Sequence, residues 1–197
     1  MIDESEINAL AIGYGQPLQR HVVCEIGEEL FVTRFMRVSD RRGEVALAIE
    51  RPNGALLLHR KAHYAAEHVR LPTGGVNLGE PVLTAVLRET SEETGLEVAV
   101  QRFLAVIEYT LCFDAIRLPF VTYLFHLRET GGRLNANDGE AAAFSECQPA
   151  ELPAIAATLR AIPGQRGYWG RWRAIAHEVA SECFKHSSNA PAGLPER

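Results

Sequence analysis

Residues 74–96 read GGVNLGEPVLTAVLRETSEETGL, and the reading of this stretch decides the fold. Pro81 suits a first helical position, where its missing N–H would have no partner anyway. Gly95 suits a left-handed C-terminal cap, so a helix is predicted over 81–94. Leu83, Leu87, Thr90 and Thr94 share one side of it and form the expected buried stripe. Glu89, Glu92 and Glu93 fall within five residues on another face. Glu89 and Glu93 repel as i,i+4 neighbours, at a cost of roughly 0.2–0.5 kcal/mol. The macrodipole disfavours each anion near the helix C-terminus by a further ~0.3–1 kcal/mol. Arg88 can pair with Glu92 but cannot neutralise three carboxylates. That much local conflict in one turn points to a functional site. A hard divalent cation resolves it, because Mg²⁺ takes oxygen ligands and leaves room for water and phosphates. The competing reading is a solvated acidic face.

Upstream, HVVCEI (21–26), LFVTRFMRVS (30–39), EVALAIE (44–50) and ALLLHR (55–60) are β-rich runs separated by turn residues, and they are expected to form hairpins. Downstream, FLAVIEYTLCF (103–113) and IRLPFVTYLFHL (116–127) resume the strands, with Pro119 marking an edge or bulge. ETGGRLNANDGE (129–140) reads as a long loop of functional interest. Helices follow over about 153–162 and 168–184, the second with Trp172, Ile175, Val179 and Cys183 on one stripe. The pattern predicts one mixed α/β domain over 1–185 and a loose tail over 186–197.

The 197-residue chain carries a net charge of -5, which gives no pull toward nucleic acid or an anionic membrane. Its acidic start is unlike a signal peptide, and no apolar run reaches membrane-spanning length. Four scattered cysteines without ligand-like spacing suit reduced thiols, so a cytoplasmic protein is expected.

The order Gly74, Glu80, Arg88–Glu89, Glu92–Glu93, Gly95–Leu96 resembles the Nudix box of nucleoside diphosphate-X hydrolases. All seven charged or glycine positions of that box are matched; Thr90 stands where an aliphatic residue is usual. The resemblance implies an α/β/α sandwich with a mixed sheet, and metal-dependent hydrolysis of a diphosphate linkage in a nucleotide-derived substrate. It implies Mg²⁺ (or Mn²⁺) on Glu89, Glu92, Glu93 and the carbonyl of Thr73. Gly74 and Gly75 would admit the phosphates, Arg88 would orient the glutamates and Glu80 would anchor the loop. The base that takes the water proton is Glu92 or Glu93, or Glu140 at the end of the long loop.

Residues 21–50 are similar to the N-terminal antiparallel sheet of ADP-ribose and nucleotide-sugar pyrophosphatases, which often builds a homodimer. Cys112 stands where the ADP-ribose group carries proline. A non-catalytic Nudix-like module that binds nucleotide is the alternative. His59, His63 and His68 are read as structural, and Arg34, Arg37, Arg60 and Arg117 as exposed cations. RGYWGRWR (166–173) is read as core packing or a dimer contact rather than a nucleic-acid surface.

Overall fold

The run VALAI in the second strand is apolar at every position, and a strand of that kind must be covered on both faces. The structure, a computed structural model, describes residues 2–32, 40–61, 64–135 and 141–188. Its elements are α1 (Glu4–Tyr14), β1 (Leu18–Glu25), a helical turn α2 (Glu28–Leu30), β2 (Arg41–Glu50), β3 (Leu56–Lys61), β4 (Thr73–Asn77), α3 (Val82–Thr94), β5 (Leu96–Phe113), β6 (Ile116–Gly132), β7 (Ala141–Cys147), α4 (Leu152–Arg160) and α5 (Arg166–Ser188). Val45, Leu47 and Ile49 of β2 point to one side, where they meet Ile7 and Leu10 of α1 and Val82, Ala85 and Val86 of α3. Ala46 and Ala48 point to the other side, toward Trp172, Ile175 and Val179 of α5. Each fully buried Leu or Ile in these layers contributes about 1.5–3 kcal/mol. The result is the expected α/β/α sandwich.

The sheet is mixed, with strand order β1-β5-β6-β2-β3-β7 and β4 paired to β2. Here one expectation fails. Among the described residues of 21–50, β1 and β2 do not pair with each other as an antiparallel hairpin. β1 runs parallel to β5, from Leu18 beside Ala105 to Glu25 beside Cys112. β2 runs parallel to β6, from Glu44 beside Thr122 to Glu50 beside Arg128. The physical reason lies between them: the chain turns helical at Glu28–Leu30, and Phe31 stacks on Phe113 with ring centroids 4.5 Å apart. Both strands bury apolar side chains in the common cores, which a separate hairpin could not offer.

Residues 33–39, with Arg34 and Arg37, lie outside the described residues, as do His63 and 136–140. The loop expected from residue 129 begins later, because β6 continues to Gly132. Pro119 precedes the point on β6, Thr122, where the ladder to β2 starts, so its missing N–H costs no bond to β2. The last helix carries the predicted stripe and runs on to Ser188, past the start of the expected tail.

Candidate active site

The strand β4 leads through Gly79 (φ 77°) into α3, and Gly95 closes that helix at φ 72° in the left-handed region. A Cβ on Gly95 would run into the carbonyl oxygen of Arg133. The buried face of α3 differs from the expected one. It consists of Val82, Ala85, Val86, Glu89, Thr90, Glu93 and Thr94, whereas Leu87 is 46% exposed. The sequence offers two overlapping stripes, and the sheet selects the one with small side chains in its first two turns. Thr90 fits there because its hydroxyl donates to the Val86 carbonyl at 2.7 Å.

The consequence reaches the carboxylates. Glu89 is 8% exposed and Glu93 is 6% exposed, so these are not residues of a solvated face. Burying carboxylates costs free energy unless cations or donors compensate them. Gly74 makes the burial of Glu89 sterically possible, since a Cβ there would fall on the Glu89 carboxyl group. A Cβ on Gly75 would likewise fall on the Arg41 guanidinium.

Arg88 organises this end of the helix. Its Nε and Nη2 donate to the two oxygens of Glu80 at 2.8 and 2.9 Å, and Nη2 also reaches the Gly75 carbonyl at 2.8 Å. Its Nη1 donates to Glu89 at 2.8 Å and to Glu92 at 2.9 Å. Glu80 in turn accepts the Asn77 N–H at 3.0 Å, which fixes the loop. The Arg88 hydrogen bonds, followed by that of Asn77, hold the Glu80 carboxyl below the usual carboxylate range despite some burial.

Glu93 faces the other way. Its Oε2 is 3.0 Å from Nδ1 of His59, a ring 1% exposed, in contact but without hydrogen-bond alignment. Burial, then the charge of Arg70, pushes the His59 pKa well down, so the imidazole is neutral at neutral pH. Arg70 is 3% exposed and donates to the Thr73 hydroxyl at 2.7 Å. Desolvation pushes its pKa down to about 10, with Arg173 adding to that and Glu93 opposing it. Glu93 and Thr73 line a cavity of about 190 Å³ with Lys61, Tyr64, Arg70 and Trp169. Tyr64 and Trp169 touch with centroids 4.7 Å apart, and the Arg166 guanidinium lies 4.5 Å over the Tyr64 ring. This chemistry, cationic and aromatic beside the buried Glu93 carboxylate, suits a phosphate-bearing ligand.

The final helix closes the cavity through two buried anchors. Arg173 donates to both oxygens of Glu44 at 2.8 Å, and the Thr122 hydroxyl donates to Glu44 at 2.9 Å. His177 accepts the Leu71 N–H on Nε2 at 3.0 Å, and its Nδ1–H donates to the Arg173 carbonyl at 2.9 Å. So RGYWGRWR divides its labour: Trp172 and Arg173 are buried, and Trp169 lines the cavity.

The donor set on α3 is all carboxylate oxygen, which suits a hard cation. As placed, Arg88 engages Glu89 and Glu92 while Glu93 turns to His59. Among the described residues, no three His, Cys, Asp or Glu groups surround one point. The glycine cradle under Glu89 and the shared burial of Glu89 and Glu93 fit a hard cation in the chemistry of their donors. Sequence reading singled out neither Arg70 nor His177, took His59 as structural without its place beside Glu93, and took Trp169 as core packing or a dimer contact. Strand alternation could have found His59, which shares the α3-facing side of β3 with Leu57. Arg60 and Arg117 donate to nearby backbone carbonyls, Arg60 to those of Lys61 and Tyr64 and Arg117 to those of Asp114 and Ile116.

Fold and site together define a mixed α/β domain whose loop–helix–loop gathers carboxylates against a glycine strand. The family model described as NUDIX domain matches residues 40–166, and the chain belongs to that family. It is 32% identical over 126 residues to a Mycobacterium tuberculosis (strain CDC 1551 / Oshkosh) protein named as the mutator protein MutT4, covering 64% of this chain and 46% of the relative. It is 39% identical over 90 residues to the ADP-ribose pyrophosphatase of Methanocaldococcus jannaschii, covering 46% of this chain and 52% of that one. The chain thus spans about half the length of these curated relatives. The solution structure of the E. coli ORF135 protein shares the fold, with a TM-score of 0.53 at 24% identity over 77% of this chain and 94% of that chain.

Proposed function

We propose that this protein is a pyrophosphohydrolase that cleaves the diphosphate linkage of a nucleoside diphosphate-X substrate, ADP-ribose or a nucleotide sugar being favoured. The observation that carries the reading is the burial of Glu89 and Glu93 against Gly74 and the Arg70–Thr73 pair. Glu89, Glu92, Glu93 and the Thr73 carbonyl would hold Mg²⁺ (or Mn²⁺). Such an ion polarises phosphoryl oxygens and lowers the pKa of water. Arg88 keeps Glu89 and Glu92 in place, Glu80 anchors the loop, Gly74 makes room for the Glu89 carboxyl and Gly75 for the Arg41 guanidinium. Lys61 and Arg70 supply positive charge in the cavity, and Tyr64 and Trp169 supply apolar walls beside it. A glutamate takes the proton of the attacking water. Glu92 and Glu93 are candidates on α3, and Glu140 is the third, outside the described residues. Glu140→Gln at saturating metal separates them, because loss of a general base lowers kcat by about 10²–10⁴.

The name of the M. jannaschii relative supports ADP-ribose as the first substrate to try. The alternative, a nucleotide-binding module without hydrolysis, draws on the hold of Arg88 over Glu89 and Glu92. A cytoplasmic setting belongs to the same proposal and is supported by four buried free thiols; among the described residues, no helix is long and apolar enough to cross a membrane. The test is a panel of ADP-ribose, nucleotide sugars, dinucleoside polyphosphates and nucleoside triphosphates with Mg²⁺, read by the products released. Release of a nucleoside monophosphate from ADP-ribose or a nucleotide sugar is expected. Tight nucleotide binding with no product from any member of the panel would favour the non-catalytic module instead.

A further inference from the structure

A helix begins with backbone N–H groups that need acceptors, and α3 has no means of its own to supply one. Its N-cap is Pro81, without a side-chain hydrogen bond, and its first turn carries no acidic residue. The acceptor comes from the N-terminal helix. Glu6 Oε1 accepts the Val82 N–H at 2.6 Å, and Oε2 accepts from Nη2 of Arg42 at 2.6 Å. Arg42 then donates to the Glu80 carbonyl from Nη2 at 2.7 Å and from Nε at 3.2 Å. The Glu80 side chain holds Arg88, and Arg88 holds Glu89 and Glu92. One carboxylate of α1 is therefore tied both to the first N–H of the carboxylate helix and, through Arg42, to the residue that orders its far end.

We infer that Glu6 is a positioning residue for the metal-binding carboxylates of α3, acting as a helix cap supplied from a separate element. The inference rests on the proposed metal site. A carboxylate on a helix N-terminus makes a charge-assisted hydrogen bond and meets the positive end of the macrodipole. Packing fixes its place, since Ile7 and Leu10 of α1 share a core with Val82 and Val86 of α3. The start of α1 is itself capped by Asp3, which accepts from Ser5 N at 2.9 Å and Glu6 N at 3.2 Å. Glu6 lies outside residues 40–166, the stretch that the family model matches.

Three variants separate positioning from plain stability. Glu6→Ala removes the acceptor, Glu6→Gln keeps an oxygen for Val82, and Leu10→Ala loosens α1 while leaving the carboxylate. Each is compared with the parent by Mn²⁺ affinity from electron paramagnetic resonance without substrate and by hydrogen exchange at the Val82 amide. Thermal melting and the kcat and KM for ADP-ribose complete the comparison. Glu6→Ala should weaken Mn²⁺ binding about tenfold, the lower range for loss of a supporting contact, and should speed Val82 exchange. Glu6→Gln should recover the Val82 protection. Leu10→Ala should lower Tm yet bind Mn²⁺ as the parent does, at a temperature where all are folded. If Glu6→Ala binds Mn²⁺ as tightly as a parent that binds it, or Leu10→Ala weakens it equally, the positioning role is overturned. Glu6→Gln exchanging as fast as Glu6→Ala would overturn the capping. A parent that binds no Mn²⁺ would overturn the metal reading, and this inference with it.

Discussion

Glu93 packs against a neutral imidazole and lies near a buried arginine, on the wall of the cavity. Glu93→Gln preserves that shape and removes the charge, so steady-state kinetics should show kcat lower by about 10²-fold or more. Unchanged kinetics would make Glu93 a structural residue. Gly74→Ala tests the cradle, because the new methyl group must displace Glu89. Mn²⁺ titration should show affinity about 10–100-fold weaker, with circular dichroism near that of the parent. The box residues were legible in the sequence since their conflict is local: like charges in one turn, glycines at fixed offsets. His59 and Arg70 were not, because their meaning comes from Glu93 and Thr73 packing over them. Glu140 lies outside the described residues, so kinetics must decide its part.

The final helix, α5, is docked by His177, whose neutral ring bridges Leu71 and Arg173. Burial pushes its pKa from the ordinary 6.5 down to about 4. A histidine with a depressed folded pKa stabilises fully above its unfolded value. Between about 6.5 and 4 the unfolded chain binds the extra proton, so stability falls with pH through that window. The shift corresponds to on the order of 3 kcal/mol, and His59 pulls in the same direction. Urea unfolding at pH 7 and pH 4.5 should therefore show a clear loss in the parent and a smaller one in His177→Gln. Equal losses would mean that His177 does not titrate as described. Sequence alternation identified most strands, yet it could not choose their neighbours, and β1 and β2 went to parallel partners far along the chain. The stripe of α3 slipped for a similar reason. Two apolar registers were available, and only contact with the sheet selects between them.

Across the whole molecule, α1 and α3 cover one face of the sheet and α5 the other, and the cavity opens beside α3 where α5 reaches it. The later helices were readable from apolar periodicity, whereas the α/β/α layering was implied by the resemblance to the Nudix family and is what strands buried on both faces require. The substrate was not, since cavity residues come from β3, β4, α3, α5 and the loop before the box. Under the proposed function, this assembly hydrolyses a diphosphate with the help of a divalent ion. The most direct measurement is the initial rate of AMP release from ADP-ribose, with EDTA present and then with Mg²⁺ or Mn²⁺ titrated back. No release is expected in EDTA, and recovery should saturate with the ion. Full hydrolysis in excess EDTA would contradict that proposal.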